Sequence, residues 1–401
     1  MGRVDTPRRP ARRAVQPKVW LAVLIVTIGM AGAVSCSGGG AEEQSATTVA
    51  PTTQATTTST TEAPTTTTRA PTTTTTAPPT TTTTAPPPRP QAPPPGPKET
   101  VRKIGIVIEN LYSGSTRQSG RPQWGMSGAQ VMFEGLVEGG ITRFLALYDS
   151  DVPGPALIGP VRSARLPFVQ IAHGFDAEFA HWGGSVAALQ LLSDPQYGDL
   201  DAQGNAIDAF WRTSERSAPH NGMTSWEAIN RVADGLGVDR VSVIDQPWAQ
   251  EPARPHQPVR VGAVGLTFSN NRAMDACFQY NPATNTYDRF TRSGAMSPHV
   301  ELLTGQPLSP ASVVVMEMVA DIAGGYVNMI TTGQGPLYVF KNGQRVDGGW
   351  SRGATDDQFA LKTHAGQTIA LPPGQTWVSI IVRAEGGTVV PMAPGTSCAA
   401  T

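Results

Sequence analysis

Between Glu42 and Lys98 the chain is built almost wholly from Thr, Pro and Ala, with runs such as Thr65 to Thr68 and Thr80 to Thr84. Such a tract buries too little apolar surface to offset the entropy of ordering its backbone. It reads as a disordered, partly polyproline-II stalk, with a reach on the order of 150 Å at about 3.1 Å per residue. Of the 401 residues, about three hundred remain for folding, more than a single core usually organises, so two domains are expected.

Upstream of the stalk, six basic residues (Arg3, Arg8, Arg9, Arg12, Arg13, Lys18) precede the apolar run "WLAVLIVTIGMAGAV" from Trp20 to Val34. That run is shorter than the span of about 20 residues needed to cross a bilayer, so a cleaved signal is the expected reading. Ala33-Val34-Ser35-Cys36 resembles a bacterial lipobox, and "SGGG" follows as a flexible polar start. Lipidation of Cys36 is therefore expected, against the alternative of an incidental cysteine at the end of a membrane anchor. Either way the rest of the chain lies on the extracytoplasmic face, tethered to the cell membrane. Without the six basic residues and one acidic residue of the signal, the net charge of −1 becomes about −6. A mildly acidic protein of this kind is no candidate for nonspecific nucleic-acid binding.

The expected organisation is a signal over 1–35, the linker over 36–99, an α/β domain over 100–250 and a mainly β domain over 259–401. Strands are expected at "IGIVIEN", "ITRFLALYD" and "AEFAHWG", since each is a short β-rich apolar run. A helix is expected from Ser127 as N-cap, through Val131, Met132, Leu136 and Val137, to the stop at Gly139-Gly140. Further helices are expected after "IGPVRSAR" to about Gly174, after Ser185, and from a capping box at Thr224–Glu227. Beyond residue 258 the runs are short and β-rich, and Asn342-Gly343 marks a hairpin turn.

Several residues stand out for their chemistry. Glu134 and Glu138, four apart on the expected helix, share a face and are candidate acid and base or cation ligands. Arg143 follows on the next strand, and Arg162 and Arg165 lie in the loop after it. There, free backbone N–H groups and a capping Ser163 would face an anion beside two guanidinium forks. His181 ends a strand, while Arg212, His220 and Asn221 lie in the aperiodic segment "RTSERSAPHNG". His173, near a helix end, is expected to be structural. No G-x-S-x-G elbow, P-loop, H-E-x-x-H or dinucleotide fingerprint occurs. Cys277 and Cys398 are candidates for a disulfide or two free thiols. No cysteine pair has metal-ligand spacing, so neither a metal nor another cofactor is expected. Trp350, Trp377 and Tyr338 are expected to pack a β core, with an aromatic sugar platform as the alternative.

Taken together, "RPQWGMSGAQVMFEGLVEGGITRF", "IGPVRSARLPFVQIAHGFDAEFAHWGGS", "FWRTSERSAPHN" and "GQGPLYVFKNGQRVDGGWSR" resemble the YerB-like bacterial lipoprotein family, over about residues 100 to 385. The resemblance implies distinct N- and C-terminal domains and a lipidated N-terminus, which agrees with Cys36, but no established reaction. Three uses of the arginines stay open at this point. Arg143, Arg162, Arg165, Arg212, His220 and Asn221 could line a cleft for an anionic envelope component. Glu134 or Glu138 with His181 or His220 could serve an envelope hydrolase or transferase. The arginines could instead be structural, in buried ion pairs with Glu134 and Glu138, as in a scaffolding protein.

Overall fold

The computed structural model describes residues 102–149, 153–238, 248–254 and 258–401. The expected signal, Cys36 and the Thr/Pro tract lie outside the described residues. Among the described residues, no helix is long and apolar enough to cross a membrane.

The N-terminal segment is mixed α/β. Its strands are β1 (Lys103–Glu109), β2 (Val131–Leu136), β3 (Thr142–Asp149), β4 (Glu178–His181), β5 (Asp199–Asp201), β6 (Phe210–Arg212) and β7 (Gly222–Thr224). Its helices are α1 (Leu166–Gly174), α2 (Val186–Leu192) and α3 (Trp226–Gly235). The C-terminal segment is mostly strands: β8 (Ala263–Thr267), β9 (Ala276–Asn281), β10 (Thr286–Ser293), β11 (Ala295–Pro298), β12 (Ser312–Glu317), β13 (Ala320–Ala323), β14 (Tyr326–Met329), β15 (Gly333–Lys341), β16 (Gln344–Arg352), β17 (Ala360–Thr363), β18 (Thr376–Ile381) and β19 (Thr388–Met392).

The two segments share one ten-stranded sheet, in the order β17-β16-β15-β12-β18-β2-β3-β1-β4-β5. The join is the parallel pairing of β18 with β2, from Thr376 opposite Val131 to Ser379 opposite Glu134. Every residue of β1, β2, β3 and β18 is buried. Strands covered on both faces carry continuous apolar runs rather than alternation, which is why "IGIVI" and "FLALY" read as they do. A second sheet, β11-β10-β9-β8-β19, supplies another layer. Strand alternation divides the contacts of β2. Phe133 meets Phe175 just beyond α1, with ring centroids 5.5 Å apart, while Glu134 turns to Arg289 of β10.

The helix expected from Ser127 is β2 instead, preceded by a single 3-10 turn at Met126–Gly128. A six-residue apolar run is too short to distinguish helix from buried strand by period. Here pairing with β3 and β18 decides the outcome. Glu134 and Glu138 therefore do not share a helix face. Glu138 opens a turn in which Gly139 and Gly140 take φ of 68° and 67°, the left-handed region that favours glycine. Helix α3 is capped by Ser225, one residue after the expected Thr224, through a bond from the Ala228 N–H. Ser185 caps α2 in the same way. Asn342 and Gly343 have φ of 51° and 67° in the β15–β16 hairpin, as a primed turn requires. Trp350 and Trp377 are buried, so the sugar-platform alternative does not fit them. Cys277 and Cys398 are joined by a disulfide.

Candidate functional site: an arginine-rich face and a sealed ion pair

The stretch from Ile158 to Arg165 is an extended segment threaded between other strands rather than an open loop. The N–H of Arg162 donates to Val107, that of Val161 to Gly222 and that of Ala164 to Gly183, at 2.9, 2.7 and 2.8 Å. These three backbone donors, expected to face an anion, are thus already used. Ser163 caps nothing; Arg165 holds the N-cap position of α1 without a side-chain bond. What the segment does present is guanidinium groups.

Two carboxylates organise them. Glu138 accepts from Arg143 Nη2 at 2.9 Å and from Arg165 Nε at 2.7 Å, and Arg165 Nη2 is also in contact with it. Glu109, at the end of β1 and almost wholly buried, meets Arg162 Nε at 3.0 Å and His220 Nδ1 at 2.9 Å. Arg143 is only 2% exposed and also donates to the Ser163 carbonyl. Burial and the neighbouring Arg165 charge, then Arg162, draw its guanidinium down to about 10, against the pull of Glu138 and Glu109. Burial opposes ionisation of Glu138, yet its bond to Arg165 and the charges of Arg143 and Arg165 outweigh that and hold its carboxyl at about 2. Arg162 is 18% exposed. Beside this group Arg212 stacks on Trp182 at 4.2 Å and donates to Asn221 Oδ1 at 2.7 Å. Arg216 is buried over Trp124 and bonds the carbonyls of Ser119, Gly120 and Pro122.

Glu134 lies elsewhere, in a sealed centre. It is 0% exposed. Arg289 Nη2 reaches both its oxygens, at 3.1 and 2.9 Å, and Asn110, Thr142 and Trp377 donate to it at 3.1, 3.0 and 3.3 Å. Arg289 in turn meets His299 Nδ1, and His299 Nε2 lies 2.6 Å from Gln123 Oε1. Burial first, then the charges of Arg289 and Arg121, push the His299 pKa well below its ordinary value, so the ring stays neutral. With its carboxylate enclosed and saturated, Glu134 does not fit the expected role of acid or base.

His181 is likewise buried, with Nε2 2.8 Å from Asp199 Oδ1 and Nδ1 2.8 Å from the Gly183 carbonyl. The structure does not bring it to Glu134 or Glu138. His173 stacks on Tyr197, with ring centroids 4.3 Å apart. Among the described residues, no three His, Cys, Asp or Glu gather as a metal site. Sequence reasoning missed Glu109 and Arg289 as partners. A signal for Arg289 was present: in "TYDRFTR" the buried positions are Tyr287, Arg289 and Thr291, an arginine on the inward face of an alternating strand.

Comparison with known proteins gives consistent matches. Residues 95–239 match a family model described as "Protein of unknown function (DUF3048) N-terminal domain", and residues 264–378 match its C-terminal domain. The Bacillus subtilis (strain 168) protein called "Putative lipoprotein YerB" is 28% identical over 299 residues, covering 72% of this chain and 83% of the relative. The crystal structure of the YerB protein from Bacillus subtilis aligns with a TM-score of 0.62 at 25% identity, over 72% of this chain and 93% of that one.

Proposed function

This chain belongs to the YerB-like family, and from that premise we propose that it is a lipoprotein, anchored through Cys36 on the extracytoplasmic face, whose arginine-rich face binds a phosphate-bearing envelope component. The observation that carries the reading is the charge count at that face. Three guanidiniums, Arg143, Arg162 and Arg165, surround two carboxylates, Glu138 and Glu109, and Arg212 adds an exposed fourth over Trp182. A net positive face on a mildly acidic chain attracts phosphate, and guanidinium forks match its oxygens. Arg162 and Arg212 are the groups open enough to reach a ligand; Arg143 and Arg165 hold the frame. The relative's lipoprotein name supports the anchor.

The full chain is to be tested against vesicles containing phosphatidylglycerol and, separately, against a purified anionic wall polymer. The expected result is binding to at least one that weakens as salt rises and is lost in Arg162→Ala with Arg212→Ala. Wild-type binding by that double variant overturns the reading. Replacing Cys36 by Ala is expected to release the chain from the membrane fraction, and continued sedimentation with membranes would refute the anchor. A second, structural reading draws support from Glu138, whose two arginine bonds fasten the β2–β3 turn to the start of α1.

A further inference from the structure

Where the N- and C-terminal segments meet, the structure forms a half-open cavity of about 250 Å³. One wall is the loop containing Ser119 and Arg121; the other is the β10–β11 hairpin, with Thr291, Ser293 and Ser297, continuing into His299. Thr291 and Ser293 are two apart on β10, and Thr291 pairs directly with Ser297 on β11. The three hydroxyls therefore stand on one face of the hairpin. This cavity uses none of the residues of the arginine-rich face.

Two features of the lining call for a ligand. The hydroxyl of Thr291, a residue 4% exposed, is buried without a hydrogen-bond partner among the described residues. Buried hydroxyls are ordinarily satisfied, and one left over in a residue that lines the cavity is a group without its acceptor or donor. Arg121 is also 4% exposed, and its partners are neutral: Asn110 Oδ1 at 2.7 Å, the Arg292 carbonyl at 2.9 Å and Met274 Sδ at 3.7 Å. Among the described residues no carboxylate pairs with it. The nearby Glu134 is already held by Arg289, so two buried guanidiniums share one carboxylate. His299, kept neutral, adds no charge of either sign. Burial first and then the Arg289 charge, against the pull of Glu134, draw the Arg121 guanidinium down to about 9. A guanidinium has five N–H donors, and these contacts use three.

We propose that this seam cavity binds a small hydroxyl-bearing oxyanion, a carboxylate or phosphate ester of glycerol or monosaccharide size, with Arg121 facing its charge and the hydroxyls of Thr291, Ser293 and Ser297 meeting its oxygens. The size limit follows from the volume, which falls below the ~300–1,000 Å³ of pockets for drug-sized ligands. The charge requirement follows from the surplus guanidinium, since buried charges are stabilised by pairing. Pro122, Pro298 and Val300 give the cavity its apolar side, suited to the carbon face of a sugar ring or a polyol.

Calorimetric titration of the full chain with glycerol 3-phosphate, glucuronate and uncharged glycerol tests the proposal. At least one anion is expected to bind saturably and glycerol not to bind; the preferred anion identifies the oxyanion. Thr291→Val keeps the side-chain shape and is expected to weaken that binding about tenfold, the effect of one lost hydrogen bond to a charged ligand. Ser297→Phe, at a half-buried position, fills the cavity and is expected to abolish it. The proposal is overturned if neither anion binds at about 10 mM, well above the millimolar dissociation constant of a weak site. It is equally overturned if glycerol binds as well as the anions, or if both variants bind as wild type. The same titration of Arg162→Ala separates the two sites: retained binding supports the seam, and lost binding moves the ligand to the arginine-rich face and overturns the assignment.

Discussion

Glu134 and Glu138 stand four residues apart and both meet arginine, yet they belong to different kinds of structure. Glu134 is enclosed, with partners on β3 and on the distant strands β10 and β18. Glu138 sits at a turn, 32% exposed, and meets arginines close by in the chain. The enclosed pair has nothing left to offer a ligand and ties the two segments together. The open pair arranges a surface. Similar residue chemistry thus serves cohesion in one place and presentation in the other, and enclosure decides which.

The largest expected effect comes from breaking the enclosed pair. Glu134→Ala leaves Arg289 buried without its carboxylate and is expected to cost about 3–5 kcal/mol in urea unfolding. Glu134→Leu with Arg289→Met is expected to recover only part of that loss: the unpaired buried charge is removed, but Asn110, Thr142 and Trp377 lose the acceptor they share. A loss below about 1 kcal/mol for the single variant, as exposed pairs give, would erase the contrast between the two carboxylates.

Next come the pH dependences, which separate the two regions by window. His299 has a folded pKa lowered by burial, so the unfolded chain takes up the proton first. Stability is full above the ordinary histidine value and falls as pH drops below about 6.5, by up to about 1.4 kcal/mol per pH unit for one proton. His299→Gln is expected to flatten this phase in urea midpoints measured from neutral pH to about 5. Glu138 titrates later. Its folded value of about 2 lies below the ordinary 4.5, so its contribution is complete above about 4.5 and is lost as pH falls towards 2. Glu138→Gln is expected to remove that acid-limb loss while leaving the His299 phase in place. If one substitution abolishes both phases, the regions are coupled rather than separate.

The smallest stability effect is expected at Arg162. Arg162→Ala should cost less than Glu134→Ala, since Arg162 is 18% exposed and the buried Glu109 it leaves keeps His220 as a partner. A loss comparable to that of Glu134→Ala would place Arg162 in the enclosed class and weaken its reading as a ligand contact.

Local chemistry was legible in the sequence where it acts locally. The strands at 103–109 and 142–149, the Ser185 cap and the Asn342-Gly343 turn follow from short apolar runs and turn residues. The α/β character of the first segment and the strand-rich second one were legible for the same reason. Val131–Leu136 was misread because its fate depends on β18, far along the chain. The Glu134–Arg289 pair was hidden for the same reason, whereas Glu138 and its arginines lie within 27 positions of one another and stood among the sequence-level alternatives. The face lined by Arg143, Arg162 and Arg165 was therefore visible as a cluster. Its backbone geometry was not, because the N–H groups of 161, 162 and 164 bond to strands and loops brought together only by the fold.

The place of β18 between β12 and β2 also orders events in time. A chain emerging from its N-terminus can pair β1 with β3 and β3 with β2, but one apolar edge of β2 stays open until Thr376–Ile381 have been made. Closure of the sheet is therefore a late, long-range step, slow in the way that non-local pairing is slow. Until it occurs, the growing polypeptide carries an unpaired strand edge prone to self-association, and a message cut short before β18 yields a product that can never mask it.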